Sequence, residues 1–175
     1  MSLQTVRKEQ VVSEREKRFL ATHTACHDRV YRYFRRRTDN STTAEDLCAE
    51  VFRITWEKTG QDAGLSVMVV FGIAKNVLRN HDRSALRASS LLGALQLERD
   101  SVRDQDESRI QEALSKLGAD DREVLLLTYW DGFSSVEVSD LLDTSATAVR
   151  MRLHRARKAL SRLLDEETQP QGAKK

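Results

Sequence analysis

Between Asp143 and Asp165 the chain carries six arginine and lysine side chains, Arg150, Arg152, Arg155, Arg157, Lys158 and Arg162, and no acid. Val149, Leu153, Ala156, Leu160 and Leu163 recur among them at steps of four and three, the spacing of one buried helix face. With that stripe turned inward, Met151, His154, Arg155, Lys158 and Arg162 lie opposite it, and Arg150, Arg152 and Arg157 flank it. Such a face attracts phosphates whatever the sequence. An arginine near the N-terminal half of a helix in the major groove can also pair bidentately with guanine, giving about 1–3 kcal/mol of discrimination. For a charge run alone, a solvated helix end favoured by the helix dipole is the plainer account. The elements that precede this helix therefore decide its meaning.

A second constellation is His23, Cys26 and His27, one helical turn apart. A histidine pair at i and i+4 can clasp a metal, but no fourth ligand is evident, and His23 and Cys26 fall on an apolar stripe. A buried, hydrogen-bonded histidine is expected there, with no metal. No Ser-His-Asp order, glycine-rich phosphate loop or paired catalytic carboxylates stand out, so neither an enzyme nor a cofactor is expected. Cys26 and Cys48 are the only cysteines; without a secretory signal, both are expected to be reduced and buried.

The elements that must position these residues are helices. Proline occurs once in 175 residues and glycine seven times, and most windows carry apolar residues at helical spacing. The spacing predicts a helix from about Val12 to Arg36 with Phe19, His23, Cys26, Val30 and Phe34 on one side. A second, opened by Thr42 and Glu45 as a capping box, reaches about Lys58. A third, about Leu65 to Arg83, buries Val69, Val70, Ile73, Ala74, Val77 and Leu78, with Lys75, Asn76, Arg79 and Asn80 on its polar side. Periodicity then weakens, with a leucine cluster at Leu91, Leu92, Leu95 and Leu97 and an acidic stretch behind it. Beyond it, Ile110, Ala113, Leu114 and Leu117 mark a helix, and Asp120 with Glu123 caps the next, through Val124, Leu127 and Trp130. Ser134 and Glu137 form a capping box with Phe133 placed to staple onto Val138, Asp143 and Thr144 turn, and Ser145 caps the basic helix. Two helices joined by so short a turn suggest helix-turn-helix, which favours DNA binding over a merely solvated basic face.

The expected architecture is all-α: two small helical domains, residues 1–84 and 108–165, joined by a linker over 85–107 and followed by a tail over 166–175. Hydrophobic residues make up 39% and charged residues 32%, which excludes collagen-like and wholly disordered chains. The run from Val67 to Ala74 is far short of the roughly 20 residues needed to span a bilayer, so no membrane insertion and a cytoplasmic location are expected. Net charge is only +2, so any nucleic-acid surface must arise from charge placement.

The chain resembles a known family over about residues 17 to 165. Asp121 to Leu127, Tyr129 to Ser134 and Val149 to Leu160 are similar to the C-terminal DNA-binding domain of bacterial RNA polymerase sigma factors of the sigma-70 family, nearest the extracytoplasmic-function (ECF) group. Ala44 to Leu47, Glu50 to Phe52 and Trp56 resemble the family's polymerase-binding helix, and Ile73 to His81 its minus-10-reading helix. The resemblance implies that the first domain docks on a coiled coil of the polymerase clamp and opens the minus-10 element, while the second reads the minus-35 element as duplex. It implies polymerase contacts by Asp46, Glu50, Phe52 and Trp56, although core packing is the plainer reading of the two aromatics. It further implies strand capture by Lys75, Asn76, Arg79 and Asn80, groove contacts by Arg150, Met151, His154 and Arg155, and Arg152, Arg157 and Lys158 near phosphates. An anti-sigma partner follows from the same resemblance. Val69-Val70 stands where the family usually carries Trp-Leu, after a shorter loop, and smaller side chains there are expected to leave a void unless neighbours repack. Two other readings stay open at this level: a stand-alone helix-turn-helix regulator dimerising over two half-sites, and a metal- or thiol-based sensor controlling DNA binding.

Overall fold

The computed structural model describes residues 13–38, 40–60, 63–92 and 105–168. Its helices are α1 (Glu14–Arg35), α2 (Ser41–Lys58), α3 (Val67–Leu92), α4 (Gln105–Ser115), α5 (Ala119–Leu125), α6 (Ser135–Leu142) and α7 (Ala146–Thr168), with Leu126–Trp130 as a π-helical turn on the end of α5. No strand occurs among the described residues. The helices fall into two compact units, Met1–Gln96 and Leu97–Lys175.

In the first unit α1, α2 and α3 pack on one another around Val30, Phe34, Ala44, Val51, Val70, Phe71 and Ala74, each at most 1% exposed. Ser13 opens α1 with a full capping box: its hydroxyl accepts from the Glu16 amide while Glu16 Oε2 accepts from the Ser13 amide at 2.6 Å. For α2 the cap is Asn40, whose side-chain oxygen accepts from the Thr43 amide at 2.7 Å, and the expected Thr42–Glu45 box lies inside the helix instead. Asn40 has the extended backbone that a cap needs, so the helix begins two residues earlier than the Thr42 pattern suggests.

The α3 stripe holds at Val70, Ile73, Ala74 and Val77, all buried, but Val69 is 44% exposed. One residue is about 100° of helix, which carries Val69 off the core-facing arc. The side chain at 69 therefore lies outside the core, and Val70 is fully enclosed. The helix also runs on past Arg83 to Leu92, through eight residues expected to begin the linker, because Ser84 to Leu92 contains neither glycine nor proline. Leu95 and Leu97, with the rest of 93–104, lie outside the described residues, as does the tail over 169–175.

In the second unit α5 and α6 pack on α7 through Val124, Val138, Val149 and Ala156, all at most 1% exposed. The expected Asp120 cap of α5 is absent. Gly118 is the N-cap with no side-chain bond, and Asp120 and Asp121 sit in the first turn, where they complement the helix dipole. The expected α-helix through Trp130 widens at Leu126 into the π turn, closed by the Asp131 amide on the Leu126 carbonyl at 3.0 Å. At Gly132 φ is +76°, a left-handed conformation that costs a residue with a side chain about 1–2 kcal/mol.

The entry of α6 matches its sequence. The Ser134 amide donates to Glu137 Oε2 at 2.8 Å, the Glu137 amide donates to Ser134 Oγ at 3.3 Å, and Phe133 and Val138 are both buried. Asp143 turns the chain at φ 52°, and Ser145 Oγ accepts from the Ala148 amide at 3.1 Å to start α7. The turn is short because Asp143 takes the left-handed conformation that ends α6 within one residue.

Candidate nucleic-acid interface and partner surface

Val149, Leu153 and Ala156, 1%, 9% and 0% exposed, anchor α7 and fix its rotation. That rotation leaves Arg150, Met151, His154, Arg155, Arg157 and Lys158 exposed on a continuous face. Arg150, His154, Arg155 and Lys158 have no hydrogen-bond or ion partner among the described residues, so the charges of Arg150, Arg155 and Lys158 and the ring of His154 face outward unspent. Met151, 63% exposed, adds an apolar contact suited to a base edge or a thymine methyl. Arg157 donates to Tyr129 Oη at 3.3 Å, and Arg152 is turned away toward α5, 3.2 Å from Asp120. The basic residues that look equivalent in sequence are therefore of two kinds, outward-facing and internally tied.

Tyr129 and Trp130 are 53% and 36% exposed and edge-to-face at 6.5 Å, although the spacing placed Trp130 on the apolar stripe with Val124 and Leu127. The π turn from Leu126 shifts the 3.6-residue register, so Trp130 does not follow Val124 and Leu127 into the core.

The first unit carries the other sequence-predicted residues on separate faces. On α3, Asn76, Arg79 and Asn80 are exposed and Lys75 is half-buried with a partner of its own. The Arg79 guanidinium donates to Asn76 Oδ1 at 3.0 Å, which orders the pair. On α2, Asp46 is exposed and has no partner among the described residues. Glu50 is bound by Arg53 through two bonds of 2.7 and 2.8 Å, and that guanidinium holds its carboxyl below the usual carboxylate range. Arg53 also reaches Glu57.

Phe52 has the burial of the core-packing reading. It is 6% exposed and packs against His23 at 4.5 Å and His27 at 5.7 Å, so it supports the surface from beneath. Trp56 is half-buried, edge-on to Phe19 at 5.2 Å, and Arg15 lies over its ring at 4.2 Å while donating to its carbonyl. Arg15 was missed in sequence because it lies 41 positions away in the chain.

The histidines behave as packing groups. The rings of His23 and His27 are 4.9 Å apart, and His27 Nδ1 lies 3.2 Å from Asp28. No group of three or more metal-ligating side chains occurs among the described residues. Cys26 and Cys48 are buried, and burial pushes both thiols up, Cys48 to about 11. Partial burial, and next the neighbouring His27, hold His23 below the usual histidine pKa. A histidine whose folded pKa is lowered is protonated more readily in the unfolded chain, so stability falls as the pH drops below the ordinary histidine value. Urea midpoints of wild type and His23→Gln at about pH 7.5 and about pH 5.5 check this. The wild type is expected to lose more on acidification than the variant.

The geometry defines the class: an all-helical protein of two units whose second is a helix-turn-helix with an outward basic helix. Residues 107–160 match the family described as Sigma-70, region 4. A probable RNA polymerase sigma factor, RfaY of Xanthomonas campestris pv. campestris, is 30% identical over 148 residues, covering 77% of this chain and 37% of that protein. The ECF RNA polymerase sigma factor SigL of Mycobacterium tuberculosis is 29% identical over 148 residues, covering 78% of this chain and 83% of that one. The chain thus spans 37% of the length of the first of these relatives.

Among solved structures, CnrH in complex with the cytosolic domain of CnrY is similar with a TM-score of 0.65 and 25% identity over 86% of this chain and 89% of that one. The sigma factor RpoE in complex with the anti-sigma factor NepR from Bartonella quintana shares the fold, with a TM-score of 0.73 and 22% identity over 85% of this chain and 98% of that one. The C-terminal unit thus matches sigma-70 region 4, and the chain is similar over 148 residues to an ECF sigma factor of RNA polymerase. No helix among the described residues is long and apolar enough to cross a membrane.

Proposed function

We propose that this chain is an ECF sigma factor: it binds core RNA polymerase, reads the minus-10 and minus-35 promoter elements and directs transcription initiation in the cytoplasm. The observation that carries this reading is the exposed basic face of α7, on which Arg150, Arg155 and Lys158 have no ion partner among the described residues, held by a capped helix-turn-helix within the residues that match sigma-70 region 4. Arg150, Met151, His154 and Arg155 read base edges of the minus-35 duplex, and Arg157 and Lys158 hold its phosphates. Lys75, Asn76, Arg79 and Asn80 hold the melted minus-10 strand, with cations on phosphates and amides on unstacked bases. Asp46, Glu50 and Trp56 meet the polymerase, with Phe52 backing that surface. The protein performs no catalysis itself, which stays with the polymerase.

Control by an anti-sigma factor belongs to the same reading. RpoE and CnrH, whose structures resemble this one, were solved with NepR and with the cytosolic domain of CnrY. Such a partner covers a polymerase or DNA face and competes with core enzyme.

The test is binding of core RNA polymerase by the purified chain, followed by transcription from a pool of promoter-like duplexes. Selective initiation is expected. A folded, inhibitor-free chain that binds no core enzyme would overturn the reading and favour a stand-alone regulator. Asp46→Ala is expected to weaken core binding on the order of tenfold, since it removes an exposed carboxylate with no internal partner, and to leave duplex binding unchanged. Equal losses of both would point to misfolding.

A further inference from the structure

The basic face of α7 has an acidic border. The Arg152 guanidinium lies 3.2 Å from Asp120 and 4.0 Å from Asp121, both in the first turn of α5. Its neighbours in sequence go elsewhere: Leu153 is buried and Met151 is exposed. A pair this open to solvent adds little to stability, so its weight is in where it places charge. Asp120, Asp121 and Glu123 of α5 outnumber Arg122 and Arg152 by one charge, whereas Arg150, Arg155 and Lys158 have no ion partner among the described residues. The aspartates are themselves favoured where they stand, because the N-terminal end of a helix attracts negative charge.

We propose that Arg152 is a positioning residue and not a DNA contact: Asp120 and Asp121 tie it to α5, keep it from joining the phosphate contacts, and make an edge that duplex DNA does not cross. This rests on the reading of α7 as a DNA-binding helix. Phosphates approaching from that side meet net negative charge, so the duplex is directed onto the Arg155–Lys158 side of the helix. The fork of Arg152, engaged by carboxylates from a second helix, also resists rotation of α7 about its own axis.

Salt dependence separates a phosphate contact from a merely structural arginine. Each phosphate neutralised contributes about 0.9 to the slope of log affinity against log salt, and a structural residue contributes nothing. The full chain would be titrated against a random-sequence duplex of about two helical turns over a range of potassium chloride, with thermal melts to confirm folding. Lys158→Gln is expected to flatten the slope by about 0.9, and Arg152→Gln to leave it unchanged. Asp120→Asn with Asp121→Asn is expected to steepen it by about 0.9, as Arg152 is released to a phosphate. Adding Arg152→Gln to that double variant is expected to restore the wild-type slope.

The proposal is overturned if Arg152→Gln flattens the slope as Lys158→Gln does, or if the double variant leaves it unchanged. It is also overturned if the steeper slope persists in the triple variant, which would assign the effect to the lost carboxylates alone. A wild type that binds no duplex at any salt overturns the DNA-binding reading itself, a result distinct from all of these.

Discussion

Arg155→Ala is expected to lower affinity for the minus-35 duplex by about 5- to 150-fold, the equivalent of the 1–3 kcal/mol carried by one good bidentate base contact. Arg155 is exposed and makes no hydrogen bond or ion pair among the described residues, so its removal exposes no buried group and empties no cavity. Its direction is set by neighbours: Leu153 and Ala156 are buried against the rest of the unit, which turns His154 and Arg155 between them outward. Competition binding with a minus-35 duplex, alongside core-polymerase binding as a control, checks it. Duplex affinity should fall while core binding holds, and Lys158→Ala should weaken all duplexes alike, since a phosphate contact carries no sequence information.

Phe34→Ala is expected to lower the unfolding free energy of the first unit by about 3–5 kcal/mol, the usual cost of deleting a buried aromatic ring. Phe34 is 0% exposed and edge-to-face with Tyr33 at 5.3 Å, and Tyr33 in turn packs edge-to-face on Phe71 of α3 at 5.7 Å. The ring thus belongs to the contact that holds α1 against α3, and the cavity it leaves cannot close without moving a helix. Against a typical domain stability of about 5–15 kcal/mol this is a large share, so the polymerase and minus-10 surfaces should be lost with it. Urea denaturation followed by helical ellipticity measures the change. Phe19→Ala is the comparison, since Phe19 lies on the same helix but is half-exposed, and its cost should be clearly smaller.

The two substitutions act at different levels. The first removes a group that the fold presents and the second removes a group that makes the presentation possible. Expected losses of Arg155→Ala are confined to one ligand, and those of Phe34→Ala extend to every function of α1, α2 and α3.

Much of this was legible in the residue order. The α7 stripe, the Ser134–Glu137 box and the Ser145 cap each depend on residues at most four apart, so local spacing suffices to place the helix-turn-helix and its basic face. The same holds for the buried arc of α3 from Val70 to Val77 and for the identification of a sigma-like chain, whose motifs are contiguous. Where local signals competed, the reading slipped by two residues: Asn40 displaced Thr42 as a cap, and Gly118 displaced Asp120. Both errors have one cause. Several residues near a helix start are able to cap it, and the backbone conformation that chooses among them is fixed by packing.

What only the tertiary structure decided is which side chains are spent. Arg150 and Arg152 look alike in sequence, but Asp120 and Asp121, brought from another helix, engage one and leave the other open. Phe52 is turned under His23 and His27, Val69 is left outside the α3 core, and a π turn puts Tyr129 and Trp130 on the surface. Periodicity along the chain determined the helices, their buried faces and the sign of the charge each presents. Pairing between residues dozens of positions apart determined which charges remain available to a partner, because an ion pair or a ring contact depends on distance in space, and spacing within one helix carries no information about the helix that packs against it.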